Sequence, residues 1–131
     1  MPVGDAFTQR QIDEIRRALA SARSETGLLF SVVIGPADGE VRDHALQLHA
    51  SLGDDAAIAV LTFVEPEARR VEIVTGNVAR RSLDDRAAAL ASLSMATSFA
   101  GGDLAGGIVN GIRMMAQSAT MPPVAHQHGA D

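Results

Sequence analysis

Val71-Glu72-Ile73-Val74-Thr75-Gly76, then Ser82-Leu83-Asp84-Asp85, then Phe99-Ala100-Gly101-Gly102-Asp103-Leu104-Ala105-Gly106: this succession decides the fold. It reads as a strand, an acidic-capped helix, a glycine turn and a second helix. Val71 to Thr75 is β-branched except at Glu72, as a pleated, mostly buried strand requires, and Gly76 punctuates its end. Ser82 with Asp85 three residues on fits a helix N-cap, whose hydroxyl accepts from first-turn amides while a carboxylate faces the positive end of the dipole. The helix body, Ala87-Ala88-Ala89-Leu90-Ala91, offers small side chains suited to close approach. Past Asp103, Leu104, Ile108, Ile112 and Met115 line one face of the next helix. There Gly106, Gly107 and Gly111 permit close packing at roughly 1 kcal/mol each in helix propensity.

Upstream, Thr8-Gln9-Arg10-Gln11 forms a capping box. Ile12, Ile15, Leu19 and Ala22 follow at helical spacing, so the first helix is expected from about Gln9 to Ser24, ended by Thr26-Gly27. Leu28 to Ile34 is apolar except at Ser31, the composition of a strand buried on both faces. A turn-forming loop, Gly35-Pro36-Ala37-Asp38-Gly39, leads to a second helix with the stripe Val41, Ala45, Leu48 and Leu52, which Gly53 terminates. Ala57 to Val64 and Arg69 to Thr75 are expected to pair as a hairpin around Glu65-Pro66-Glu67-Ala68. The first strand, second helix and second strand make a right-handed crossover between parallel strands.

These elements predict one α/β domain: a three-layer α/β/α sandwich whose Rossmann-like mixed sheet has one parallel crossover and one hairpin. Residues 1–6 are expected as an N-terminal extension, residues 7–118 as the domain and residues 119–131 as a tail without periodicity.

Composition narrows the function. The chain has 131 residues, 47% hydrophobic and 21% charged, enough for a sizeable core. Four Phe are its only aromatics besides histidine and its net charge is −5, so stacking platforms are scarce and phosphate backbones are repelled; nucleic acid is not expected as a partner. With no Cys and no Lys, thiol nucleophiles, disulfides, Schiff-base lysines and a P-loop lysine are all excluded. The residues Met1-Pro2-Val3-Gly4-Asp5 lack the pattern of a secretory signal, and the expected location is cytoplasmic. The uncharged run between Arg86 and Asp103 is interrupted by Ser, Thr and Gly and is shorter than the roughly 18 residues of a spanning helix, so no transmembrane segment is expected.

The topology sets the end of the third strand beside the starts of the first two. Asn77, Asp84 and Asp85 then approach Asp54 and Asp55, a set of oxygen ligands suited to Ca²⁺ or Mg²⁺. The alternative is that Asp85 caps a helix and Asp54-Asp55 is a solvated turn. At the opposite end Asp38, Glu40 and Asp43 form a second acidic group, without regular ligand spacing. His44 and His49, five apart, point in different directions on their helix, and His126 and His128 lie in the tail. No G-x-S-x-G elbow marks a hydrolase. Arg69-Arg70 and Arg80-Arg81 are basic pairs at separate places in the hairpin region.

Taken in order, Phe7-Thr8, Glu25-Thr26-Gly27, Ala45 with Leu48, Val71 to Gly76, Leu83-Asp84 and Phe99 through Gly107 resemble the TPM domain, a module shared by thylakoid-lumen proteins, photosystem II repair factors, a receptor modulator and bacterial envelope proteins. Small actinobacterial members are most similar. The resemblance implies an α/β/α sandwich, in some members Ca²⁺ near the loops at the sheet edge, and in some plant members acid phosphatase activity. This chain departs from the pattern at Asn77-Val78, at the shortened Gly53-Asp54-Asp55-Ala56 and at Leu104. The expectation is a non-enzymatic binding or assembly module that serves envelope or membrane-protein maintenance through a protein partner or a membrane-associated complex. It requires no cofactor, with Ca²⁺ as the candidate ion. A metal-dependent acid phosphatase is the alternative.

Overall fold

A computed structural model describes residues 7–120. The first helix, α1 (Gln9–Thr26), begins with the expected capping box: Gln11 N donates to Thr8 Oγ1 at 3.1 Å and Thr8 N to Gln11 Oε1 at 2.9 Å. Phe7, immediately before the cap, is buried, and Ile15, Ala18 and Ala22 carry the buried stripe. Gly27 closes the helix in the left-handed region at φ 77°, its N–H on Arg23 O at 2.8 Å.

Strands β1 (Leu29–Ile34), β2 (Ala59–Glu65) and β3 (Arg70–Thr75) form one sheet in the order β1-β2-β3. β1 and β2 are parallel, from Leu29 opposite Ala59 to Ile34 opposite Val64; β2 and β3 are antiparallel, from Val60 opposite Thr75 to Glu65 opposite Arg70. The crossover between the parallel strands carries α2 (Val41–Ala50) and a 3-10 helix, Gly53–Ile58. The second helix therefore stops short of Leu52. Gly53, at φ 64°, reverses the chain into the 3-10 turn, and β2 begins two residues later than expected.

The strand buried on both faces is β2, all seven of whose residues are buried. β1 has the matching composition, but only Phe30 is buried. It lies at the edge of the sheet, and position in the sheet, not apolar content, sets its exposure.

One face of the sheet carries Phe30, Val60, Val64, Val71 and Ile73, covered by α1, α3 (Asp85–Ala100) and α4 (Leu104–Thr120). The other carries Phe63 and Val74, covered by Ala45 of α2. The molecule is thus the expected three-layer α/β/α sandwich, with three helices in the layer on one face and one α-helix on the other. α3 and α4 pack through glycine. A Cβ on Gly107 would stand 2.6 Å from Ser98 Cβ, and one on Gly111 would overlap the Met95 side chain, which is fully buried. Met95, Ile108, Ile112 and Met115 complete this part of the core.

α4 continues through Thr120, two residues into the stretch expected as a tail. Residues 1–6 and 121–131, with His126 and His128, lie outside the described residues. Among the described residues no helix is long and apolar enough to cross a membrane.

Candidate functional site

At the end of the sheet where β1 and β2 begin, the expected juxtaposition forms through backbone. Gly76 N donates to Ala59 O at 2.9 Å and Val78 N to Ala57 O at 3.0 Å, so the chain leaving β3 lies against the 3-10 helix that carries Asp54 and Asp55. The four aspartates nevertheless remain as two pairs. Asp54 and Asp55 occupy the first turn of that helix and are exposed. Asp84 is engaged elsewhere: its Oδ1 accepts from Ala87 N at 2.9 Å and caps α3, with Asp85 in the first turn. Among the described residues no group of three or more His, Asp or Glu side chains comes together as a metal would require.

The cap itself is a correction to the expectation for Ser82. Ser82 ends a short 3-10 helix, Ala79–Arg81, with helical backbone at φ −104° and ψ −29°. Asp84, at φ −77° and ψ 173°, has the extended geometry an N-cap needs. Leu83 between them is fully buried, so the side chain that anchors this turn is apolar and the helix starts two residues later.

The second acidic group, at the far end of the sheet, also dissolves into local roles. Glu40 caps α2 by accepting from Asp43 N at 3.0 Å. Its carboxyl is held below the usual glutamate range, first by the backbone N–H of Asp43, then by that of Arg42, with the Arg70 and Arg42 charges adding to it. Asp38 N donates to His44 Nδ1 at 3.2 Å, and the His44 ring is tilted against Phe63 at 5.0 Å. The other helix histidine, His49, contacts Ala59 O through Nε2 at 3.3 Å.

Two features have no counterpart in the sequence reading. Buried Glu65 joins two loops: Oε1 accepts from Glu67 N at 2.8 Å and Oε2 from Ala37 N at 3.3 Å. The available signal was a carboxylate at a strand end directly before Pro66. The second feature is a charge network across β3. Glu72 receives Arg42 Nη1 at 3.3 Å and Arg70 Nη2 at 2.8 Å, and Arg70 also lies 3.9 Å from Glu40. The Glu72 hydrogen bond raises the Arg70 pKa further above its ordinary range. Arg69-Arg70 is therefore not a freestanding basic pair. Arg69 takes φ 53° in the hairpin turn, while Arg70 is bound into the network.

Surface hollows lie at three places among the described residues. One of 850 Å³, between α1 and α4, mixes Glu14 and Glu25 with Arg17 and Arg113. A 290 Å³ hollow follows the β3 edge between α2 and α3, bringing Arg42 and Arg80 together with Glu72 and Asp85. A 220 Å³ hollow at the β1 edge is apolar except for Arg16. On α3, Leu90 and Leu93 are exposed at 52% and 64%, and Leu46 of α2, which lines the second hollow, at 42%. Leu90 and Leu93 are three residues apart and share a helix face.

The fold recurs in solved structures. The chain is similar to the BA42 protein of the psychrophilic bacterium Bizionia argentinensis, at 20% identity and TM-score 0.77 over 86% of this chain and 81% of that one. It is similar to the N-terminal domain of a P. gingivalis protein at 22% identity and TM-score 0.77, covering 88% and 78%. The N-terminal domain of the cg2496 protein of Corynebacterium glutamicum follows at 16% identity and TM-score 0.72, covering 90% and 78%. At these identities the likeness is one of fold. The comparison with curated proteins finds no match. A family profile matches residues 1–116, nearly the whole domain, and on that match the chain belongs to the family described as a domain of unknown function (DUF5130).

Proposed function

We propose that this domain is a non-enzymatic binding or assembly module of TPM type that engages a protein partner in envelope or membrane-protein maintenance. The observation that carries the reading is the outward face of α3. Leu90 and Leu93 stand 52% and 64% exposed on a helix whose opposite face already supplies the core through Ala88, Ala91 and Met95. Neither leucine is needed to close the core. Burying the exposed half or so of each in an interface is worth about 1–2 kcal/mol, so the pair supplies an apolar centre for a docked protein. Leu46 of α2, which lines the β3-edge hollow with Arg42 and Glu72, is a further exposed apolar side chain. The order of elements and the close-packed glycines of α3 and α4 support the TPM comparison.

The test is a pull-down from the native host with wild-type bait and with a Leu90→Glu/Leu93→Glu double variant. Both sites are exposed, so the variant should melt within a few degrees of wild type. The expected result is a protein retained by wild type and lost from the variant. Identical captures by both baits, or none by either, would remove the reading.

A further inference from the structure

The two edges of the sheet are finished differently. On β3, Ile73 O accepts from Arg42 Nη1 at 3.0 Å and Val71 O from Ser92 Oγ at 3.3 Å, and Glu72 and Arg70 add charge. Such devices protect a sheet edge from pairing. β1, with the sequence Leu-Phe-Ser-Val-Val-Ile, has no charge and no proline. Gly35 N donates to Val64 O, which fixes the alternation along this strand. Leu29, Ser31 and Val33 direct their backbone groups to β2, while Phe30, Val32 and Ile34 direct theirs outward. Among the described residues those outward N–H and C=O groups have no partner.

Helices pack about 8–10 Å apart and strands about 4.8 Å, so three helices on three strands form a layer wider than the sheet. α1 overhangs the β1 edge, and beneath it lies the 220 Å³ hollow, lined by Ile12, Arg16 and Leu19 from α1 and by Val32 and Ile34 from β1. Arg16 is exposed and has no ion pair among the described residues.

We propose that the β1 edge is a strand-addition site for an extended segment of a partner protein, whose alternate apolar side chains enter the hollow and whose carboxylate meets Arg16. The backbone groups supply register, the hollow supplies apolar burial and the arginine selects an acidic residue. A second copy of this chain fits less well, because pairing two β1 edges would bring two overhanging α1 helices into the space of one. The site is separate from the α3 leucines.

Selection of a random 12-residue peptide library on the full chain tests the assignment. The expected peptides alternate apolar residues and carry an acidic one. Val32→Pro removes an outward N–H and leaves the β1–β2 ladder bonded, a placement that edge strands tolerate. It should weaken the selected peptides about tenfold by fluorescence polarisation, and Arg16→Glu, on the exposed helix rim, by about fivefold. Bound peptide should slow hydrogen exchange at the Phe30, Val32 and Ile34 amides. Should Val32→Pro fail to fold, Arg16→Glu and the exchange data decide. The Leu90→Glu/Leu93→Glu protein should keep peptide binding, so failure at one surface is distinguishable from failure at the other. No enriched peptide, binding by both edge variants as tight as by wild type, or protection of the three amides in the free protein by its own residues or a second copy would each overturn the proposal.

Discussion

Replacing Gly76 by Ala probes the backbone contact between the end of β3 and the 3-10 helix that precedes β2. Gly76 is buried directly after β3, and a Cβ there would overlap the carbonyl oxygens of both Ala56 and Ala57. Those atoms belong to backbone, so no side-chain rotation relieves the clash. The 3-10 helix must move away, and in doing so it strains the Gly76 N to Ala59 O and Val78 N to Ala57 O bonds at 2.9 and 3.0 Å. Overpacking in a well-filled site costs about 1–3 kcal/mol. Weakening one of these bonds adds about 1 kcal/mol, which places the expected loss at about 3 kcal/mol against a total stability of order 10 kcal/mol. For a domain of this size the melting temperature should fall by about 10–15 °C. Gly101→Ala is the control. Its Cβ would meet Ser98 O at 3.6 Å and Thr97 O at 3.7 Å, ordinary contacts, and Gly101 has φ −82°. That substitution should leave stability unchanged or raise it by up to about 1 kcal/mol through the unfolded chain. Urea unfolding of both variants measures the difference directly. A Gly76→Ala protein within about 1 kcal/mol of Gly101→Ala would refute the backbone-contact argument.

Three further outcomes follow from the carboxylates. Asp84→Ala should lower stability by about 1 kcal/mol, whereas Ser82→Ala should change it by less than about 0.5 kcal/mol, and chemical denaturation distinguishes the two assignments of the α3 cap. Millimolar Ca²⁺ should shift the melting temperature by less than about 1 °C, because Asp54-Asp55 and Asp84-Asp85 remain separate pairs; a rise of several degrees that Asp84→Ala removes would show native-state binding through them. Glu40 has a folded pKa depressed below its unfolded value, so its contribution is present above the unfolded value and is lost as pH falls through the folded one. Side-chain carbon shifts should place the Glu40 midpoint below the usual glutamate range, and Arg70→Gln should move it only slightly upward, since the backbone N–H groups of Asp43 and Arg42 are its main causes.

What was legible in the sequence is what short-range chemistry decides. The Thr8 capping box, the Gly27 stop, the hairpin after Glu65 and the glycine-mediated pairing of α3 with α4 each rest on a few neighbouring residues, and all four appear in the structure. Burial of β1 on both faces does not follow from its apolar composition, because an edge strand and a central strand can have the same composition. Only strand order, a long-range property, separates β1 from β2. The end of α2 was missed because Leu52 fits the helical stripe while the chain already turns toward Gly53.

The acidic residues show the same boundary more sharply. Asp and Glu at turns read equally well as ligands for a hard cation or as acceptors for unpaired helix N–H groups. Local backbone resolves the choice for three of them: Glu40 accepts from Asp43 N, Asp84 from Ala87 N and Asp103 from Gly106 N, each at the start of a helix. A carboxylate bound to its own helix gains its hydrogen bond without closing a long loop, whereas a converging ligand set must overcome the repulsion of like charges held together. With a net charge of −5, this chain distributes much of its acidity to helix starts and to the Arg42–Glu72–Arg70 network. The outer face of α3 at Leu90 and Leu93 and the open edge of β1, each with an arginine beside it but no carboxylate engaged there, are therefore places where apolar contact with another protein has few charges to desolvate.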